Sequence, residues 1–161
     1  MDSTSVVLLR SLLFTRSVGA LATLHDGDPF ASMVPFAAVV YGGRLRLVVH
    51  VSGLAAHTRD MRTRPEVCLL VTEAESAGVP PQALPRVSLP GHAEFIPPEH
   101  PEHAVLKAAY LGKFPDAADL FAFADFSLVA IEPKSGRLVA GFARAMTLSP
   151  ETLAAVADSG A

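Results

Sequence analysis

Short apolar stretches with alternating or helical spacing divide the chain into strands and helices. Alternation predicts seven strands, at residues 20–25, 30–40, 45–52, 66–73, 86–96, 126–132 and 137–147. Apolar positions three or four apart predict helices at residues 3–16, between Ser52 and Pro65, and at residues 97–113, 115–123 and 149–157. Short strands with few long helices indicate one domain, a closed antiparallel barrel over residues 18–147 with helices outside it.

Residues 45–65, LRLVVHVSGLAAHTRDMRTRP, join a strand to a helix start that carries basic side chains. The apolar face of the strand is Leu45, Leu47, Val49 and Val51, and the other face is Arg44, Arg46, Val48, His50 and Ser52. Ser52 is positioned to cap the helix, and His57, Thr58 and Arg59 follow in its first turns. Because first-turn N–H groups lack partners and lie at the positive end of the helix dipole, this connection predicts an anion site, most naturally for a phosphate. The alternative is an ordinary strand–helix connection with a solvated basic face.

The predicted strand at residues 30–40 is apolar on both faces. Such a strand needs a core on one face and a ligand or a partner on the other. Pro35 lacks the N–H that a central strand position uses, so it marks an edge or an interruption. Backbone groups left free there could contact a ligand.

Composition excludes several classes of function. Hydrophobic residues make up 50% of the 161 residues and charged residues 18%, so the chain is globular rather than disordered. A net charge of −3 with scattered signs gives no reason to expect a nucleic-acid partner. No apolar run approaches the ~20 residues needed to cross a membrane, and no signal peptide is visible, so we expect a cytoplasmic location without a membrane partner. The apolar content predicts a subunit interface.

Few side chains form a recognisable chemical motif. There is no Gly-rich phosphate loop and no CxxC pair, and Cys68 lies in an apolar run that favours a buried small hydrophobe over a nucleophile. His100 and His103, beside Glu99 and Glu102, have a spacing that could hold a metal, but a solvated helix start is the favoured interpretation, so no metal site is predicted.

Five segments resemble the pyridoxamine 5′-phosphate oxidase-like flavin-binding split-barrel superfamily, and within it the haem-utilisation branch. The segments are GALATLHDGDPFASMVPFA (19–37), HVSGLAAHTRDMRTRPEVCLLV (50–71), PRVSLPGHAEFI (85–96), YLGKFPDAADLFAFADFSL (110–128) and GRLVAGFARA (136–145). They follow the family's order and cover most of the chain. The resemblance implies a mainly β, α+β fold, a six-stranded antiparallel split barrel, and a homodimer with two FMN molecules in clefts between the subunits.

The resemblance also implies which residues bind FMN. The phosphate would be held by Ser52, Ala56, His57, Thr58 and Arg59, the place that the residues themselves indicate as an anion site. The flavin ring would lie along Ser32, Met33, Val34 and Pro35 of the second strand, with His50 and Val51 on the third and Arg86 reaching the flavin of the other subunit.

Departures from the family pattern shape the functional prediction. The chain has fewer cations around the phosphate than the oxidase, and it lacks the oxidase's C-terminal substrate motif, so pyridoxamine phosphate oxidation is not expected. Haem-degrading relatives use a histidine near the C-terminus, and no histidine follows His103 here, which predicts weak haem binding. We therefore expect a dimeric FMN-binding oxidoreductase of unassigned substrate. The alternatives are a haem-utilisation protein and a split barrel that binds a small ligand without catalysis.

Overall fold

The computed structural model describes residues 1–141 and 144–159. Within these residues, nine strands form one antiparallel sheet. The strands are β1 Val18–His25, β2 Asp28–Pro35, β3 Ala37–Tyr41, β4 Arg44–Ser52, β5 Glu66–Thr72, β6 Arg86–Phe95, β7 Phe126–Pro133, β8 Gly136–Val139 and β9 Ala145–Leu148. Their order is β2-β1-β5-β6-β7-β4-β3, and the β8–β9 hairpin pairs with β6.

Among the described residues, four α-helices and three other helical segments surround the sheet. The α-helices are α1 Ser3–Arg10, α2 Ala56–Thr63, α3 His103–Lys113 and α4 Pro150–Asp158. A π-helical turn, Ser11–Thr15, continues α1, and 3₁₀ segments lie at Pro81–Ala83 and Pro115–Ala122. No helix among the described residues is both long enough and apolar enough to cross a membrane.

The sheet is split rather than closed. The stretch predicted as one strand at residues 30–40 is two strands, because the chain leaves the β1 edge after Pro35 and joins β4 from Ala37 onward. Phe36 between them is fully buried, and its N–H donates to the carbonyl of Ser17 at 3.1 Å. β2 and β3 therefore lie at opposite ends of the strand order, so the closed barrel that the pattern alone suggested is wrong, and the mainly β, α+β split-barrel fold is confirmed.

Two apolar clusters hold the fold together. The larger lies on the inner face of the sheet, where Leu47, Val49 and Val51 of β4 pack with residues of α1, α2 and α4. The smaller lies outside, where Val48 of β4 packs with α3. One strand thus contributes to both layers, because its side chains alternate between the two faces.

Two further predicted elements differ from the structure. The helix predicted at 97–113 begins only at His103, because Pro97, Pro98 and Pro101 cannot donate the backbone hydrogen bonds of a helix. The strand predicted at 137–147 is the β8–β9 hairpin, which turns near Gly141 with a φ of +121°; Phe142 and Ala143 of that prediction lie outside the described residues.

Gly91 lies within β6, which pairs with β5 in continuous register from Arg86 to His92, without a bulge. The glycine instead permits a close approach on the other side, since a Cβ atom at this position would lie 2.5 Å from the carbonyl oxygen of Glu132.

Candidate functional site at the split of the sheet

The split leaves two strand edges without a neighbour. The last β3–β4 pair is Ala37 with Val48, so the end of β4 is paired only with β7. Among the described residues, β2 is paired only with β1, and it contacts β4 beside the split. The residues predicted along the flavin, which are residues 32–35 of β2 with His50 and Val51 of β4, therefore lie on the two edges that border this opening.

These edge residues offer different groups to a ligand. Val34 and Val51 point into the core and are nearly fully buried, so only their backbone faces the opening. Met33 is 69% exposed, and Ser32 is partly exposed. Pro35 is exposed and has no N–H to donate, which leaves an unpaired position where β2 ends.

Ser52 does not cap the helix that follows it. The N-cap of α2 is Ala55, which has no side-chain acceptor. The Ser52 hydroxyl instead donates to the Asp125 carboxylate at 3.1 Å and accepts from the N–H of Leu54 at 3.2 Å. Thr58 is also engaged, since its hydroxyl donates to the Ser52 carbonyl at 2.7 Å. The predicted N-cap was wrong because α2 begins only at Ala56, so Ala55 and not Ser52 occupies the capping position.

The remaining residues at the start of α2 are less constrained. Ala56 and His57 are partly exposed, and Arg59 is exposed. Among the described residues, no hydrogen bond or ion pair engages the side chains of His57 or Arg59. Burial lowers the pKa of His57, and the neighbouring Asp60 opposes this shift. His57 and Arg59 are thus free to meet an anion.

Asp60 fixes α2 to the sheet. Its carboxylate accepts from the Thr23 hydroxyl at 2.8 Å and lies 2.8 Å from Nδ1 of His25. Burial raises the pKa of Asp60, but the hydrogen bonds with His25 and Thr23 outweigh burial and hold the net pKa below its usual range. This pair of contacts to β1 positions the helix beside the split.

Arg86 is not brought to the split within one protomer. It opens β6, and β1 and β5 lie between it and β2 in the strand order. Its guanidinium donates to the carbonyls of Gln82 and Leu84. The predicted role at the flavin of another subunit stays a prediction.

A cavity of about 460 Å³ lies outside the sheet, next to His50. Three phenyl rings line it, from Phe95 at the end of β6, Phe121 in the 3₁₀ segment and Phe126 at the start of β7. Arg62 of α2 and His103 of α3 stand at its wall. The sequence did not indicate this cavity, because its aromatic residues belong to three separate elements and share no periodicity.

His50 is the polar centre of the cavity. Its ring stacks on Phe121 with centroids 3.8 Å apart and planes 5° apart, and Phe126 lies 5.1 Å away. Burial, together with the charge of nearby Lys107, lowers the pKa of His50 to about 4. The imidazole is therefore neutral at neutral pH, with one nitrogen lone pair available. Its Nδ1 atom is buried and has no hydrogen-bond partner among the described residues.

Cations surround the aromatic rings. The Arg62 guanidinium lies 4.0 Å from the Phe95 ring centroid and donates to the Ser127 hydroxyl at 3.2 Å. The Lys107 ammonium lies 4.7 Å from the Phe121 centroid. The cavity thus combines flat apolar walls with one basic side chain in its lining, Arg62, and Lys107 lies beside the Phe121 ring, which suits a planar aromatic ligand that carries acidic groups.

The other residues considered from the sequence have separate surroundings. His100 lies 3.4 Å from a Glu94 carboxylate oxygen, and its Nδ1 accepts from the N–H of Glu102. No cluster of three or more metal-ligating side chains is found within residues 1–141 and 144–159. Cys68 is half-buried on β5, and burial raises the pKa of its thiol.

The split sheet, flanked by helices, defines a split barrel with a cavity beside it. The sequence model of the family described as pyridoxamine 5′-phosphate oxidase matches residues 8–140 of this chain. The chain belongs to this family.

Three known proteins show what the chain is similar to. A chloroplastic heme oxygenase of Arabidopsis thaliana, HOZ, is 34% identical, over 89% of this chain and 42% of that protein. The structure of a heme binding protein from Mycobacterium smegmatis is 32% identical with a TM-score of 0.82, covering 96% of this chain and 62% of that one. HutZ, a heme storage protein from Vibrio cholerae, is 22% identical with a TM-score of 0.67, covering 81% of this chain and 89% of that one, and supports the fold alone. The chain spans less than two thirds of the length of the first two proteins.

Proposed function

We propose that this chain is a haem-binding protein of the split-barrel family, with haem held in the cavity beside His50. The observation that carries the proposal is the lining of that cavity, which combines three phenyl rings with the Arg62 guanidinium, while the Lys107 ammonium lies nearby, 4.7 Å from the Phe121 ring centroid. The two relatives above 30% identity are both described as haem proteins, which supports the same function. This function replaces FMN oxidoreduction as the leading proposal.

The residues present fit the chemistry of haem. Flat phenyl faces can pack on a porphyrin, and the cationic side chains of Arg62 and Lys107 can pair with its propionates. The His50 imidazole is neutral, the form in which histidine binds iron, and no hydrogen bond of the described residues occupies its Nε2 atom. When bound, haem would supply redox chemistry at its iron, while the chain provides binding, orientation and exclusion of water.

Binding of FMN is the second candidate function. Family membership favours it, as do the unpaired strand edges at the split and the unengaged His57 and Arg59 at the start of α2. The Asp125 carboxylate next to Ser52 opposes it, because a phosphate there would meet a negative charge. Because His50 borders both the split and the cavity, we expect haem and FMN to compete.

We also propose that the protein is a homodimer, as the resemblance implies. β2 is an edge strand of the described sheet and exposes Phe30 and Met33. Exposure of an apolar strand edge to solvent is unfavourable for a monomer, and such an edge is commonly covered by a partner. The clefts that flank β2 would then be shared between subunits.

Titration with haemin and, separately, with FMN and riboflavin tests these proposals. We expect a saturable change in the Soret absorption at one haem per chain, with affinity weakened when FMN is present in excess. Binding of FMN alone, with preference over riboflavin and no saturable haem spectrum, would contradict the haem proposal and favour the second candidate. Scattering without a saturating spectral change would contradict specific haem binding as well.

A further inference from the structure

We infer that His50 is the axial ligand of the haem iron through its Nε2 atom, and that the stacked Phe121 ring sets the plane of this imidazole. The inference rests on the proposed haem function and assigns the iron ligand within that site.

The choice of nitrogen follows from burial. Nδ1 of His50 is fully buried and has no partner, so a ligand cannot reach it without moving the ring. Nε2 is not among the buried unpartnered atoms, and no hydrogen bond of the described residues occupies it. Nε2 is therefore the nitrogen of His50 that a ligand in the cavity can reach.

Most of the other histidines are engaged or lie elsewhere. All six histidines of the chain fall within the described residues. Two are held by carboxylates, His25 by Asp60 at 2.8 Å and His100 by Glu94 at 3.4 Å. His92 is exposed and lines a different pocket, and His57 does not line the cavity.

His103 is the one competitor, because it also lines the cavity. It is the first residue of α3, and no aromatic ring is stacked against it among the described residues. His50 lies in the part of β4 that pairs with β7, from Leu47 to Ser52, and two phenyl rings pack on its imidazole. A rigid position on a strand favours His50, because a metal ligand must be held in a fixed geometry.

The surroundings of His50 also predict the character of the bond to iron. A metal-binding histidine usually donates its second N–H to an acceptor, which fixes the ring and raises its basicity. Here stacking on Phe121, with planes 5° apart, fixes the ring instead, and Nδ1 has no acceptor. The iron–histidine bond should therefore have a fixed orientation but be weaker than one supported by a carboxylate. A weaker bond suits a protein that releases its haem to another molecule.

The experiment compares haem complexes of the wild type, His50→Ala and His92→Ala by absorption and electron paramagnetic resonance. His92 is a matched control because it is a histidine on the same sheet that does not line the cavity. We expect His50→Ala to lose the histidine-ligated spectrum and roughly tenfold or more of the haem affinity. Added imidazole should restore the spectrum by filling the space beside Phe121, and His92→Ala should match the wild type.

A second variant tests the role of the stacked ring. Phe121→Leu should still bind haem, but the g values of the ferric complex should spread as the imidazole plane becomes less fixed. The circular dichroism of each apoprotein shows whether it is folded. If His50→Ala is not folded, His50→Gln replaces it in the comparison.

The outcomes separate the two proposals. If the wild type binds haem and His50→Ala keeps its spectrum and affinity, His50 is not the ligand, and loss of both in His103→Ala would assign His103 instead. If the wild type itself forms no saturable haem complex, the proposed function fails, and this inference fails with it.

Discussion

The Arg46 side chain is almost fully buried, with 1% of its surface exposed, although it carries a full charge. Its guanidinium lies 2.6 Å from Glu94, 2.7 Å from Glu132 and 3.1 Å from Glu102. The pattern of the strand placed Arg46 on the polar face, which normally faces solvent. The structure buries it because the three carboxylates converge on that face from β6, β7 and the turn before α3.

Replacing this buried charge tests its contribution to stability. In Arg46→Met, the acidic side chains remain together without their buried counter-ion, so we expect a loss of about 3–5 kcal/mol in the free energy of unfolding. Urea denaturation at neutral pH measures the loss. Arg44→Met is a matched control, because Arg44 pairs with Glu102 and Glu132 but its side chain is 49% exposed. An exposed pair is worth roughly 0–1 kcal/mol, so equal losses in the two variants would contradict this account.

The same cluster predicts a dependence of stability on pH. The hydrogen bond from Arg46 lowers the pKa of Glu94 below its ordinary value of 4.5. A carboxyl whose pKa is lowered by folding stabilises the protein above its unfolded pKa, and this stability is lost as pH falls through the folded value. We expect the wild type to lose stability below about pH 4.5 and Arg46→Met to lose less, so the difference between them should narrow in acid. If the difference in the free energy of unfolding between the wild type and Arg46→Met stays constant across this pH range, the acidic cluster around Arg46 is not the source of the pH dependence.

At the scale of elements, strands were more predictable than helix starts and the site. Alternation is a local signal, and it located β4, β5 and β7 to within about one residue. The hydrogen bond between Ser52 and Asp125 joins residues that are distant in the sequence, so the local pattern around Ser52 could not predict it. The cavity depended still more on the tertiary fold, although His50, its polar centre, lay among the residues that the family resemblance indicated.

Gly91 shows how one element depends on another. Gly91→Ala would place a methyl group 2.5 Å from the carbonyl oxygen of Glu132, in the backbone of the adjacent strand. Because the β6–β7 pairing cannot yield without losing hydrogen bonds, we expect a loss of about 1–3 kcal/mol in the free energy of unfolding. Thermal and urea unfolding measure it.

A second glycine provides the control. Gly112 lies in α3, and a Cβ atom there would meet nothing within 4 Å. Gly112→Ala should therefore stabilise the protein by about 0.5–1 kcal/mol, the usual gain for alanine over glycine in a helix. Destabilisation by both substitutions would show that close approach is not the cause at Gly91.

At the scale of the whole molecule, the exposed edge strand β2 predicts the assembly. A stable dimer of the obligate type would bury more than about 2,000 Å² in total. Sedimentation velocity at micromolar concentration should show a dimer, and Met33→Glu should shift it towards the monomer by placing a charge in the apolar contact. Leu54→Glu is the control, because Leu54 is also exposed, at 91%, but lies in the turn before α2. A wild-type monomer, or equal effects of the two substitutions, would contradict a dimer built on β2.

The alternation of side chains along β4 has an evolutionary consequence. Leu47, Val49 and Val51 face the core, so their replacement is constrained by folding. His50, between them, faces outward, and its cavity neighbours Phe95, Phe121 and Phe126 are only partly buried. If the cavity binds haem as proposed, selection for folding and selection for the ligand act on different positions. Substitutions at His50 and its cavity neighbours could then change the prosthetic group while Leu47, Val49 and Val51 stay unchanged.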